Sequence, residues 1–202
     1  TTEGQVRVAF GKLRARLAAG IGSTIAVCAA TVYGILGAAP LPAVTGYTAG
    51  SRIEAGQWLV IPRRAWVSEE KKVLGVRLQE GERALVVEAD LSNRTQASTR
   101  DYAKLLKLQS VGGVSVPDPE VALVREARPL PLLHPGLAER VAFVWKLPAS
   151  AVLPTSLEAD VVAKTYKPVD NLYGTPGWFN PRVVGRITMA VEMTENLAGR
   201  AS

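Results

Sequence analysis

Hydrophobic and polar residues alternate along several short stretches after residue 57. The clearest is RALVVEADL, residues 83–91. A period of two is typical of a β-strand with one buried and one exposed face. The pattern predicts that Leu85, Val87, Ala89 and Leu91 share the buried face, and that Glu88 and Asp90 lie on the other.

Shorter stretches of the same kind recur along the rest of the chain, separated by turns rich in Gly and Pro. Pro62 divides two of them, and predicts an edge strand that breaks and switches sheets. Residues 98–107 are the best candidate for a short helical turn. Together the stretches predict seven or eight strands, an all-β fold and an antiparallel immunoglobulin-like β-sandwich. The other predicted strands are 57–62, 63–67, 105–108, 121–125, 140–147, 157–166 and 182–193.

Residues 17–39, LAAGIGSTIAVCAATVYGILGAA, differ from the rest because the segment carries no charge. As a helix its 23 residues extend about 35 Å, enough to cross a hydrocarbon core of roughly 30 Å. The preceding tail holds Arg7, Lys12, Arg14 and Arg16 against Glu3. By the positive-inside rule, this pattern predicts a single transmembrane α-helix with a cytoplasmic N-terminus and an extracytoplasmic C-terminal domain.

Two other interpretations of the same segment are a cleaved signal peptide and a lipoprotein anchor. The apolar run exceeds the usual ~7–15 residues of a signal peptide, and Pro40 follows Ala38-Ala39, where it opposes cleavage. Cys28 follows Val27, where a lipobox needs a small residue. A retained anchor is the favoured interpretation.

Small residues occupy every fourth position of the predicted helix. Such spacing lets a second helix approach closely in lipid, so it predicts a helix–helix interface with other membrane protein subunits. The predicted organisation is a basic tail (1–16), transmembrane helix (17–39), linker (40–56), β-sandwich (57–196) and C-terminal tail (197–202). The interface positions are Ala18, Gly22, Ala26, Ala30, Gly34 and Ala38.

Composition and motifs narrow the candidate chemistry. Acidic residues are interspersed with basic ones after residue 50, unlike the clustered basic surface of a nucleic-acid-binding protein. With one histidine, His134, and one cysteine within the apolar segment, neither a catalytic triad nor a His/Cys metal site is expected. The sequence therefore predicts a non-enzyme with no catalytic residues, cofactor or metal.

The stretch YGTPGWF, residues 173–179, is the best candidate for an outer contact loop. Large aromatic side chains on Gly- and Pro-rich loops are common at binding surfaces. The alternative is that they plug the end of the sandwich. The candidate residues are Tyr173, Trp178 and Phe179, within a predicted loop over 168–181.

The order of features resembles the telokin-like immunoglobulin-fold domains of bacterial membrane-anchored or secreted surface proteins. The resemblance spans roughly residues 57–193, and the loop 168–181 departs from it. It implies a binding or structural module without a common catalytic site. The matching stretches are Leu91-Ser92-Asn93, the turn Leu133-His134-Pro135-Gly136, FVWKLP at 143–148, and the Leu-rich strand at 157–162.

Two functions follow as hypotheses. The first is an accessory or structural subunit of a membrane complex, for example a transporter, with contacts through both the helix and the β-domain. The alternative is a tethered cell-surface module that binds a lipid, glycan or peptide. An enzyme is the least favoured class because reactive residues are scarce.

Overall fold

The computed structural model describes residues 44–172 and 174–193, and over these residues the chain forms fourteen β-strands and no helix. Five long strands dominate: β3 (Trp58–Ser68), β6 (Glu82–Asn93), β12 (Ala138–Pro148), β13 (Ser156–Lys167) and β14 (Gly177–Met193). The short strands are β1 (Gly46–Thr48), β2 (Ile53–Ala55), β4 (Lys72–Val73), β5 (Val76–Arg77), β7 (Leu106–Lys107), β8 (Ser110–Val111), β9 (Val114–Ser115), β10 (Glu120–Leu123) and β11 (Arg128–Pro129).

The strands form a β-sandwich, which confirms the predicted all-β class. One layer runs in the order β11, β10, β12, β6 and β3, with β2 paired to β3. The other layer contains β1, β14, β13 and β7. Most neighbours are antiparallel, but β1 is parallel to β14, and the end of β14 is parallel to β3.

The strand that changes layer is β14, and the prediction of a break at Pro62 is wrong. β14 pairs with β13 over most of its length, and its residues 191–193 then pair with β3. β3 continues through Pro62 along β6, with a register shift between Pro62 and Arg64. The bulge takes Arg63 out of the ladder. On the other side of β3, Pro62 lies between the residues that pair with β2 and those that pair with β14, so β3 tolerates a proline there.

The main core lies between the two layers, and the alternation in β6 assigns its faces correctly. Leu85, Val87, Ala89 and Leu91 are all fully buried in this core. Trp58 and Trp145 are each 1% exposed in the same cluster. The opposite face of β6 is partly covered as well, because the β4–β5 hairpin packs a second cluster around Val86.

Two further segments depart from the predictions. β1 and β2 lie within residues 40–56, so the prediction of a linker is corrected there. These residues form strands because β1 pairs with β14 and β2 pairs with β3. A Cβ at Gly185 would lie 2.5 Å from the Tyr47 ring, which shows how closely β1 packs on β14. Residues 98–107 form a turn at 101–104. Gly112 and Gly113 form the turn that connects β8 and β9.

In the part of the chain that the structure describes, no helix is long and apolar enough to cross a membrane. The predicted transmembrane segment, its six interface positions and the basic residues Arg7, Lys12, Arg14 and Arg16 lie outside the described residues, as does the C-terminal tail at 197–202. These assignments stay predictions.

Candidate functional site

A groove of about 810 Å³ lies where the loop after β6 faces the paired ends of β13 and β14. One side is aromatic and the other is polar. Its volume falls within the roughly 300–1,000 Å³ usual for small-ligand sites. Nine residues line this groove: Gln57, Thr95, Gln96, Ala97, Ser98, Thr99, Asp101, Tyr166 and Trp178.

The aromatic wall is a cross-strand pair. Tyr166 of β13 and Trp178 of β14 are direct partners in the antiparallel register. Their ring centroids are 5.4 Å apart and the planes are tilted by 58°. Tyr166 is 50% exposed, so the pair offers ring surface to solvent and is not a core contact. Cross-strand aromatic pairs also stabilise the sheet that carries them.

The polar wall, residues 95–99, is held by the side chain of Asn93 at the end of β6. The Asn93 amide nitrogen donates to the carbonyls of Ala97 (2.8 Å) and Leu133 (3.0 Å). Its oxygen accepts from the Thr95 backbone N–H and hydroxyl, forming an Asx turn. Asn93 is 1% exposed, so residues 93–95 form a strand-end turn whose first side chain is buried.

Asp101 is the centre of a cluster of polar groups in the groove. One carboxylate oxygen accepts from the amide of Gln57 at 2.7 Å, and the other accepts from Nζ of Lys164 at 2.5 Å. Gln57 is 4% exposed and also donates to the Asp101 carbonyl. The lysine neutralises the charge of the carboxylate. Asp101 therefore offers oriented acceptor oxygens without an unpaired charge.

Trp58 and Tyr102 fix the backbone around Asp101. The indole N–H of Trp58 donates to the Asp101 carbonyl at 2.9 Å, and its ring meets Tyr102 edge-on at 5.4 Å. The Tyr102 hydroxyl donates to the Pro131 carbonyl at 2.6 Å. Burial raises the pKa of Tyr102 to about 12, so its hydroxyl stays a donor at any ordinary pH. The main core therefore positions one wall of the groove.

A second pocket of about 340 Å³ adjoins the groove and shares Gln57 and Asp101 with it. It extends towards Leu105, Val162 and Pro181. Gln57 and Asp101 therefore line both spaces.

The structure separates the three residues of the predicted contact loop. Trp178 lies in the groove, while Phe179 is the next residue of β14 and faces the other side, with Nζ of Lys167 at 5.8 Å from its ring centre. Tyr173 lies outside the described residues. Both Trp178 and Phe179 belong to a strand, so the predicted loop 168–181 is corrected at 177–181.

Several groove residues were not predicted as a site. Tyr166 appears in the sequence as the end of a strand, and Gln57 and Asp101 as ordinary polar residues 44 positions apart. The one available signal is the large aromatic residue at the end of the alternating stretch 157–166. Its partner depends on the register of β13 and β14.

His134 belongs to the anchoring of the polar wall. Its Nδ1 lies 2.7 Å from the hydroxyl of Ser98, which ties the wall to the turn before β12. Residues 44–172 and 174–193 place no carboxylate in an ion pair with His134. In the same residues no group of His, Cys, Asp and Glu is arranged to hold a metal ion.

A separate set of ion pairs lies on the outer face of the larger layer. Asp90 of β6 accepts from Arg140 and Arg63, both at 2.7 Å. Glu88, 3% exposed, accepts from Arg64 at 2.7 Å and from the indole N–H of Trp66 at 2.9 Å. These contacts join β12, β6 and β3 across the sheet, so they stabilise its register.

The Asp90 contacts predict a loss of stability in acid. Burial acts to raise the pKa of Asp90, but hydrogen bonds from Arg140 and Arg63 outweigh it and hold the pKa below its ordinary value of 3.8. The stabilisation is therefore complete above pH 3.8 and disappears as the pH falls through the lowered pKa. We expect Asp90→Asn to be less stable than wild type at pH 7, with the gap closing below pH 3.8. Urea unfolding of both chains across this range measures it; a constant gap would contradict the assignment.

No family model matches the sequence, and no curated protein matches it. The crystal structure of an uncharacterised β-sandwich protein from Clostridium difficile 630 is similar in fold, with 8% identity and a TM-score of 0.48. The match covers 75% of this chain and 97% of that one.

Proposed function

We propose that the chain is a membrane-anchored envelope protein whose outward β-sandwich captures a ligand in the groove. The observation that carries the proposal is the exposed Tyr166–Trp178 pair opposite an anchored polar wall. Rings at a surface give contact area at little entropic cost, and oriented polar groups give specificity. The uncharged segment 17–39 and its basic flank support the anchor and its direction.

Among the two functions expected from the sequence, the groove favours the tethered binding module. The accessory-subunit hypothesis depends on the small-residue positions from Ala18 to Ala38, which lie outside the described residues, and it stays a prediction. We also propose that the sandwich is of the telokin-like immunoglobulin type. Support comes from the order of the matching stretches: the end of β6, the turn before β12, the end of β12 and the start of β13.

The test is binding by the purified full-length chain to three envelope fractions: cell-wall polysaccharide, peptides from digested envelope proteins, and vesicles of phosphatidylethanolamine and phosphatidylglycerol. We expect wild type to bind one fraction and the double variant Tyr166→Ala/Trp178→Ala to bind it at least about tenfold more weakly. Loss of two aromatic contacts at a site of this kind has that magnitude.

The control is Leu172→Ala, a residue 80% exposed that does not line the groove. It removes exposed apolar surface elsewhere and should bind like wild type. Circular dichroism checks that every variant is folded. Absence of binding to all three fractions, or equal binding by the double variant, would refute a ligand site in the groove.

A further inference from the structure

We propose that the ligand of the groove is an uncharged carbohydrate chain, with sugar rings stacked on Tyr166 and Trp178 and hydroxyls bonded to the polar wall and to Asp101. This inference rests on the proposed ligand-binding function and names its ligand class.

The rings suit the apolar face of a sugar. A pyranose presents axial C–H groups on one face, and these pack against the electron-rich face of an aromatic ring. Tyr166 is half exposed, and the 58° tilt between the rings leaves each with surface of its own. Pairing of β13 with β14 holds both residues in place before a ligand arrives, which lowers the entropic cost of binding.

The opposite side suits the hydroxyls of a sugar. Thr95, Ser98 and Thr99 line the groove with hydroxyls. Each hydroxyl already makes at least one hydrogen bond that orients it, Thr95 to Asn93, Ser98 with His134 and Thr99 from the Asp101 N–H, and each has further capacity for a sugar hydroxyl. A carboxylate has about four acceptor positions, and Asp101 uses its oxygens for Gln57 and Lys164 with capacity left for hydroxyl donors. Because those two contacts orient the carboxylate, its remaining lone pairs have a defined direction.

The charge of the groove argues against ionic ligands. Asp101 is the one ionised residue among the nine that line the groove, and Lys164 neutralises it. A phosphate or anionic headgroup would find no cation among the nine lining residues, and a basic peptide would find the Asp101 carboxylate already paired. An extended peptide is usually recognised through main-chain hydrogen bonds at a sheet edge, whereas this groove presents hydroxyls, an amide and rings.

The experiment measures binding of neutral oligosaccharides of glucose, galactose, mannose and N-acetylglucosamine by isothermal titration calorimetry. The full-length chain is kept in a polyoxyethylene detergent, because the sugar headgroup of a maltoside would compete. We expect at least one oligosaccharide to bind, with an affinity unchanged by added salt since no ion pair forms. Trp178→Ala should lower that affinity about tenfold or more, and Trp178→Phe should restore part of it.

Two matched variants separate the two sides of the groove. Tyr166→Phe retains the ring and should bind almost as wild type. Asp101→Asn retains the shape of the side chain but replaces one acceptor oxygen by an amide nitrogen. It should weaken binding, while Trp178 still contributes by stacking. Leu172→Ala again serves as the control outside the groove.

The outcomes distinguish this inference from the proposed function. Groove-dependent binding of a neutral oligosaccharide supports both. Groove-dependent binding to peptides or vesicles, with no neutral oligosaccharide bound, overturns the carbohydrate inference and leaves the binding function standing. Failure to bind any of the oligosaccharides or envelope fractions overturns both.

Discussion

Replacing Trp58 by Ala is expected to lower the free energy of unfolding by about 3–5 kcal/mol, the usual cost of removing a buried Trp or Phe side chain. Trp58 is 1% exposed, and its ring packs edge-on against Tyr102. Since small domains are stable by only about 5–15 kcal/mol, a loss of this size is a large part of the total. Urea unfolding followed by circular dichroism measures it.

Trp58→Ala should also impair the groove. The indole N–H donates a hydrogen bond to the Asp101 carbonyl. The Asp101 carboxylate in turn accepts hydrogen bonds from Gln57 and Lys164 in the groove. Without the indole, the Asp101 carbonyl loses a hydrogen bond, and the neighbouring Tyr102 ring loses its packing partner. Ligand affinity of the folded fraction should therefore fall together with stability.

Trp145→Ala is the matched control for this second effect. Trp145 is equally buried at 1% exposure, but it lies in β12 and packs against Phe143, away from the groove. We expect the same order of destabilisation and, at a low temperature where the variant is folded, unchanged binding. If the two variants affected binding equally, Trp58 would be a core residue with no positioning role.

The difference between these tryptophans shows what the sequence can and cannot predict. Alternation places Trp145 and Leu85 in the core because one face of each sheet must be buried, and burial imposes a period of two. The same rule accounts for the confirmed strands at β6, β12 and β13. Alternation does not predict that Trp58 also positions the turn at Asp101, because this role depends on a hydrogen bond between residues 43 positions apart.

The short strands and the groove were not predictable for a related reason. β4 and β5 have two residues each, too few for any periodicity, and they form because Val73 and Val76 pack on Val86. Tyr166 and Trp178 face each other because of the register between two strands, which is set across the whole β13–β14 pair, including its irregularities near Val161 and Ala163. Local sequence carries neither piece of information.

Gly56→Ala is the substitution expected to disturb both strands of the aromatic wall at once. Gly56 connects β2 to β3 with φ of +67°, a conformation that costs a residue with a Cβ about 1–2 kcal/mol. A Cβ here would also lie 2.6 Å from the Lys164 carbonyl oxygen and 3.3 Å from the Trp178 ring. Adding a typical overpacking cost of about 1–3 kcal/mol, we expect a total loss of about 2–5 kcal/mol.

Gly81→Ala isolates the backbone part of this effect. Gly81 has φ of +81°, but a Cβ there would meet nothing within 4 Å, so the variant should show the conformational cost alone. The excess loss for Gly56→Ala then measures the close approach to β13, and only that variant should change Trp178 fluorescence and ligand affinity. The Lys164 carbonyl belongs to the strand that carries Tyr166, so relief of the contact requires β13 to move. Equal losses for the two glycines would mean that β13 yields freely, and the groove would then lack the fixed aromatic wall on which stacking depends.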